Sequence, residues 1–304
     1  MRVAVTGATG MIGRALVEAL LDRGDAVTVF TRDEAHAARL LPDTYPVAWR
    51  DPRSQPAPAE ALAGRDAVVH LAGEPIAQRW TPEVKRRIRE SRELGTRNLV
   101  AGLCATEPRP RTLVSQSAVG YYGARGDERI DESAPPASGD FLADACVAWE
   151  REARAAEELG LRVATTRTGV VLSEHGGALA RMLPPFKLGV GGPVAGGRQY
   201  VPWIHIDDVV GALLRCLDDE AVSGAVNLSA PEPVTNRELS RTLGRVLVRP
   251  AITPVPAVAL RLLYGEMATI VTTGQRAVPA RLLELGYEFA QPDLEGALRA
   301  AVRP

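Results

Sequence analysis

Lysine is nearly missing from this chain. Of 36 basic residues only Lys85 and Lys187 are lysine, so chemistry that needs an ammonium group has two places to find it. Cysteine is scarce too: Cys104, Cys146 and Cys216 are widely spaced, with no CxxC pair. That pattern indicates neither a disulfide framework nor a zinc site, no metal is expected, and a cytoplasmic location is the natural reading. Charge imbalance is absent, the formal net charge being -1, which leaves no electrostatic case for nucleic acid or an anionic membrane. No apolar run approaches the ~20 residues of a membrane span. The first residues already read as a core strand, so no targeting peptide is expected. What is present is a soluble composition, 46% hydrophobic and 24% charged over 304 residues, enough for one large α/β domain or two lobes.

The most informative stretch is the first thirteen residues. Arg2-Val3-Ala4-Val5-Thr6 reads as a strand, and Ala15 to Leu21 as an amphipathic helix ending near Gly24. Between them lies Thr6-Gly7-Ala8-Thr9-Gly10-Met11-Ile12-Gly13. Gly7 permits a tight exit from the strand, Gly10 clears a side chain from where a pyrophosphate must touch backbone, and Gly13 lets the helix lie close on the sheet. The helix amino end then offers free N–H groups and partial positive charge to phosphates. Ala26 to Phe30 supplies the second strand of a βαβ unit, the context that turns a glycine triplet into a dinucleotide motif. At the end of that strand an acid would select NAD. Thr31 stands there instead, followed by Arg32, and a guanidinium pairs well with a 2′-phosphate. NADP(H) is therefore expected, with Asp33 next door as the rival feature for NAD.

Further strands are expected at Val47–Trp49, Ala67–Ala72, Arg111–Ser115, Arg162–Leu172 and Ala225–Leu228. Helices are expected from Pro82 to about Ala105 and from Phe141 to Leu159. Alternating β and α with near-continuous apolar strands means a Rossmann-like doubly wound parallel sheet. Residues 1–171 and 205–228 are assigned to this dinucleotide-binding domain, and 172–204 with 229–304 to a smaller cap or substrate lobe. The stretch from Gly176 to Gly197, crowded with glycine and proline, reads as a loop-rich lid over the strand carboxyl ends. Lys85-Arg86-Arg87-Ile88-Arg89 is interleaved with Glu83, Glu90 and Glu93, which makes it a solvated helix face, not a nucleic-acid patch.

Taken together these stretches resemble the extended short-chain dehydrogenase/reductase superfamily, in its nucleotide-sugar-epimerase branch. More narrowly the chain is similar to the atypical "epimerase family" or cell-division-inhibitor-like group, which carries a distinctive C-terminal segment of unknown function. The matching stretches are TGATGMIG from Thr6, HLAGE from His70, SQSAVGYYG from Ser115, FLADACVAWE from Phe141, WIHIDD from Trp203 and the tail Gly265 to Phe289. The resemblance implies that Thr31 and Arg32 hold the adenosine phosphate and that Asp51 and Pro52 flank the adenine. Leu71, Ala72, Gly73 and Glu74 would line the cofactor near its ribose, with Arg92 and Ser115 also on the cofactor side. It implies a small-molecule substrate and pairing of two copies through the two long helices.

The superfamily's usual machinery is Ser, Tyr and Lys. The Tyr is the acid or base, the Lys lowers its pKa, and the Ser bonds the substrate oxygen. Ser117 matches the Ser. Aligning the helix on Glu150 puts Leu142 at the Tyr position and Cys146 at the Lys position, and the family's helix Asn is Arg92. The cofactor half looks intact and the proton-transfer half rebuilt or lost. Tyr121 and Tyr122, in the loop after Ser117, are the candidate replacements. His205, Glu74 and Cys146 are weighed as further acid, base or nucleophile candidates. Structural readings are available for each: a strand histidine, a ribose hydrogen bond and a packed thiol. Two activities remain open: an NADP(H)-dependent oxidoreductase or epimerase moving hydride at the nicotinamide C4, and a catalytically silent NADPH-binding regulator.

Overall fold

The computed structural model describes residues 1–302. In chain order the elements are β1 (Arg2–Thr6), α1 (Met11–Asp22), β2 (Ala26–Thr31), α2 (Glu34–Leu40), β3 (Tyr45–Ala48), α3 (Ala59–Leu62), β4 (Ala67–His70), α4 (Pro82–Cys104), β5 (Thr112–Ala118), β6 (Arg129–Ile130) and α5 (Phe141–Arg154). They continue with β7 (Arg162–Thr168), β8 (Val170–Leu172), α6 (Gly177–Lys187), β9 (Tyr200–Val201), β10 (Trp203–His205), α7 (Ile206–Asp218), β11 (Gly224–Leu228), β12 (Val234–Thr235) and α8 (Asn236–Val246). The tail holds α9 (Ala257–Tyr264), α10 (Thr269–Thr272), β13 (Arg276–Ala277), α11 (Ala280–Glu284) and α12 (Leu294–Ala301).

Seven strands form one sheet in the order β11-β7-β5-β4-β1-β2-β3. Every neighbouring pair is parallel. Both faces are covered, because successive residues of each strand point to opposite sides and both sets are apolar. Val3, Val5, Val27, Val29 and Val69 pack with Leu16 and Leu20 of α1 and Val209 and Leu213 of α7. Ala4, Val68, Leu113 and Val163 pack on the other side with Leu99 and Leu103 of α4 and Ala153 of α5. The order reverses direction between β1 and β4, so a crevice opens beyond their carboxyl ends, which is where sheets of this kind bind ligands.

Three expectations need correction. The run Arg162–Leu172 is two strands, β7 and β8, broken at Gly169, where a methyl group would overlap the Pro202 carbonyl oxygen. The glycine-rich lid contains α6, a helix that passes through Pro184 and Pro185; its buried Leu179, Leu183 and Phe186 keep one face apolar in spite of the prolines. The tail is not confined to a cap. Leu294 and Leu298 of α12 join the cap cluster around Trp203 and Leu243, whereas Leu282, Tyr287 and Phe289 pack onto the α1–α7 side of the sheet.

Candidate functional site

The site is built first by glycine. Gly7 leaves β1 with φ +69, and a Cβ there would stand 2.7 Å from the Leu71 carbonyl carbon, so the β1 and β4 chain ends touch only because it has no side chain. A methyl group on Gly13 would overlap the Gly7 carbonyl oxygen, whereas one on Gly10 would meet only that oxygen at 3.3 Å. Gly7 and Gly13 therefore serve packing, and the exposed Gly10 keeps the approach to α1 open. No side chain caps α1 and no acid lies in its first turn, so its leading N–H groups are available to an anion. Thr9, Met11 and Ile12 are half-exposed around this turn.

At the end of β2, Arg32 is exposed and makes no ion pair or hydrogen bond among the described residues. Asp33, the rival, is occupied: its carboxylate accepts from His36 N at 2.9 Å and caps α2. Thr31 Oγ1 is tied to the Asp33 backbone at 3.1 Å. The Asp51 carboxylate accepts from the Ser54 hydroxyl at 2.7 Å, and that bond holds it below the usual carboxylate range. The Pro52 carbonyl accepts from Asn98 at 2.8 Å. Leu71 and Ala72 are anchored through their N–H groups to the Thr6 carbonyl and hydroxyl, at 3.2 and 3.3 Å. Gly73 is exposed beside the Arg92 guanidinium. The Glu74 carboxylate faces Gln78 and Arg87, at 3.3 and 3.6 Å. Ser115 is fully buried and its hydroxyl has no partner.

The proton-transfer residues divide. Ser117 is 0% exposed and its hydroxyl donates to Glu150 Oε1 at 2.8 Å. Tyr122 is also 0% exposed; it donates to Asn227 Oδ1 at 2.7 Å and accepts from Arg167 Nη1 at 2.9 Å. Burial pushes its hydroxyl up to about 12, against the pull of Arg167. The expectation that Ser117 and Tyr122 present hydroxyls to a substrate is corrected here: both are bonded inside the protein, because Glu150 and Arg167 need partners where no water reaches. Tyr121 differs. It is half-exposed, its ring lies 3.6 Å from the Arg167 guanidinium carbon, and its hydroxyl has no partner among the described residues.

Arg167 was not named from the sequence and Glu150 served only to align its helix, yet the two hold this region together. Both are 2% exposed, and they pair through two bonds of 2.8 and 2.9 Å. Burial disfavours the Arg167 charge, but the Glu150 bonds overcome that and raise its pKa. The signal that could have found them is a second arginine inside the strand run Arg162–Leu172 and a glutamate on an apolar helix face. His205 and Cys146 take structural places. His205 is buried and caps α7 by accepting from Asp207 N at 3.2 Å, its Nε2 without a partner. Cys146 is buried, and burial pushes its thiol up to about 11, too high for a resting nucleophile. Arg92 points from α4 to Gly73, with Nη1 donating to the carbonyls of Glu74 and Ile88 at 3.0 and 3.1 Å.

Comparison with known proteins agrees with this geometry. The NAD dependent epimerase/dehydratase family matches residues 3–229, and a domain of unknown function, DUF1731, matches residues 255–301. The chain is 42% identical to the chloroplastic epimerase family protein SDR39U1 homolog of Arabidopsis thaliana over 313 residues, covering 100% of this chain and 87% of that one. A crystal structure of human epimerase family protein SDR39U1, described as holding NADPH, superposes with a TM-score of 0.89 at 34% identity and covers 99% of both chains. A nucleoside-diphosphate sugar epimerase from Corynebacterium glutamicum is also 34% identical, with a TM-score of 0.77; the chain spans 59% of its length. A glycine turn with an open helix end, a doubly wound sheet and matches over nearly the whole length converge: the chain belongs to the NAD dependent epimerase/dehydratase family, with the DUF1731 domain at its C-terminal end.

Proposed function

We propose that this protein is an NADP(H)-dependent oxidoreductase or epimerase acting on a small substrate that carries a hydroxyl or carbonyl group. The observation that carries the cofactor choice is Arg32, exposed and without a partner among the described residues at the end of β2, the strand next to β1, while Asp33 is consumed as a helix cap. The NADPH recorded for the human relative supports the same choice. Three free cysteines, two of them buried, fit a reducing, cytoplasmic setting.

When bound, the cofactor supplies or accepts the hydride. Gly10 and the α1 amino end would hold the pyrophosphate, Arg32 the 2′-phosphate, and the Ala72–Glu74 segment the ribose side. Tyr121, half-exposed and with a hydroxyl that has no partner among the described residues, would give a proton to a carbonyl oxygen of the substrate. Arg167 is a positioning residue: bonded to Glu150, it stacks on Tyr121 and fixes that ring. The second reading, a silent NADPH-binding regulator, is favoured by Leu142 and Cys146 standing where the family's Tyr and Lys are expected.

The test has two arms. Fluorescence titration should show NADPH binding more tightly than NADH. Arg32→Ala should weaken NADPH by about ten- to a hundred-fold, as for loss of a charge-assisted phosphate contact, and leave NADH almost unchanged. Tighter NADH binding, or indifference to Arg32→Ala, would sink the cofactor assignment. Against a panel of aldehydes, ketones and nucleotide sugars, Tyr121→Phe should slow NADPH oxidation about a hundred-fold. Tyr122→Phe should instead cost roughly 2–3 kcal/mol of stability by stranding Asn227 and Arg167. Binding without turnover across the panel would favour the regulator.

A further inference from the structure

Arg92 is a half-exposed guanidinium on α4. Its guanidinium lies deep enough for desolvation to depress its pKa, yet it forms no ion pair among the described residues. Its hydrogen bonds go only to neutral acceptors, the Glu74 and Ile88 carbonyls and, at 3.5 Å, the Ser91 hydroxyl, and all three leave from Nη1. Glu74, whose charge favours that of Arg92, turns its carboxylate to Arg87 and Gln78. Two other arginines are treated differently. Arg167 has Glu150. Arg162 spends both terminal nitrogens on four acceptors, three of them carbonyls near the end of α7. Nε–H and Nη2–H are thus left to solvent on a half-exposed side chain, where an anion can displace water to pair with them.

The idle half has a shape. Nε–H and Nη2–H lie along one edge of a guanidinium, the edge that matches the two oxygens of a carboxylate. Here that edge has no protein partner among the described residues, and neither nitrogen is sealed from solvent. The group is clamped: the Trp149 indole lies on it at 4.9 Å, and a Cβ at Gly73 would stand 3.3 Å from its central carbon. Gly73 places the fork at the carboxyl end of β4, in the crevice assigned to the dinucleotide. Cys146 fills the expected lysine position beside this charge, and Lys85 is bonded to Glu266 at 2.8 Å.

We propose that the open Nε–Nη2 edge of Arg92 receives a carboxylate of the substrate, so that the site selects hydroxy or oxo acids over neutral alcohols and carbonyls. The assignment rests on the oxidoreductase reading above and names the substrate class of that site. Trp149 makes it measurable, since its ring touches the guanidinium. Succinate should change tryptophan fluorescence saturably, with NADP+ present or absent, and size-matched succinamide should not. Arg92→Gln should weaken succinate by about thirty-fold, as for a lost bidentate charge pair, and Arg92→Lys by less, while NADPH affinity stays within about threefold. Retained folding of the Lys variant, checked by melting, keeps the comparison valid should Arg92→Gln unfold. Equal response to succinate and succinamide, no response to either, or succinate binding unaffected by both variants overturns the proposal. So does a tenfold or greater loss of NADPH affinity in both variants, which would give the fork to a cofactor phosphate. Failure of the wild-type protein to bind NADPH sinks the oxidoreductase reading alone, because the succinate arm is also read without nucleotide.

Discussion

His70 closes β4 at 1% exposure, with Nδ1 2.7 Å from the Thr6 hydroxyl and Nε2 3.0 Å from that of Thr96. Thr6 also accepts from Ala72 N at 3.3 Å, so a neutral imidazole links β1, β4 and α4 directly under the crevice. Desolvation pushes its pKa down to about 4 from 6.5. Between those values the unfolded chain binds a proton that the folded chain refuses. Stability from this group is therefore complete above pH 6.5 and is lost as pH falls towards 4, by roughly 3 kcal/mol in all. Buried His205, also depressed by burial, acts in the same direction. Urea midpoints measured from pH 7.5 to 4.5 should fall steeply for the wild type and less steeply for His70→Gln, which cannot take up the proton. Equal slopes would show that His70 does not carry the effect. The role was not legible in the sequence, where His70 is one residue of a strand-end motif, because its partners Thr6 and Thr96 lie 64 and 26 residues away.

The strand–turn–helix element at the amino end shows what sequence can reveal and why. Its constraints act between residues close in the chain: Gly13 meets Gly7, and Gly10 N bonds Gly7 O at 3.0 Å. Spacing alone therefore fixes the local geometry, and the cradle, its open end and Arg32 were all readable. The buried cluster of Ser117, Tyr122, Glu150, Arg167 and Asn227 was not, since its bonds span up to 105 residues. Ser117 and Tyr122 looked catalytic because the sequence does not show Glu150 and Arg167 underneath them. The same contrast separates the two glycines by experiment. Gly13→Ala forces α1 off the sheet and should lower the melting temperature by several degrees, in line with a few kcal/mol of overpacking. Gly10→Ala meets one oxygen at 3.3 Å and should melt within about 2 °C of the wild type, while losing most NADPH affinity because the methyl group stands where the pyrophosphate must lie. Equal losses of stability in the two variants would refute this division.

At the scale of the whole molecule, the C-terminal segment is a strap more than a separate lobe. It begins over the Tyr121 loop, where Gln275 donates to the Val119 carbonyl at 2.8 Å and Arg125 N to that of Gly274 at 3.1 Å. It then runs beside the sheet, with β13 paired to β6, Asn227 donating to the Val278 carbonyl and Ser229 to that of Ala277. It is fixed at Asp208, a fully buried carboxylate on α7 that accepts from Ala290 N at 2.6 Å and Gln291 N at 3.0 Å. Burial raises the Asp208 pKa, and those two N–H groups work against the rise by favouring the charged form. Removing the carboxylate leaves both N–H groups without acceptors at a cost of about 2–4 kcal/mol. The tether acts at one end of the strap and Tyr121 lies near the other, while Arg32 at the end of β2 makes no bond to it among the described residues. Asp208→Ala should therefore speed hydrogen exchange from Gly274 to Gln291 and slow turnover, with NADPH affinity held within about threefold. Exchange that quickens only around residues 290 and 291 would mean that the strap holds itself on the sheet without this anchor.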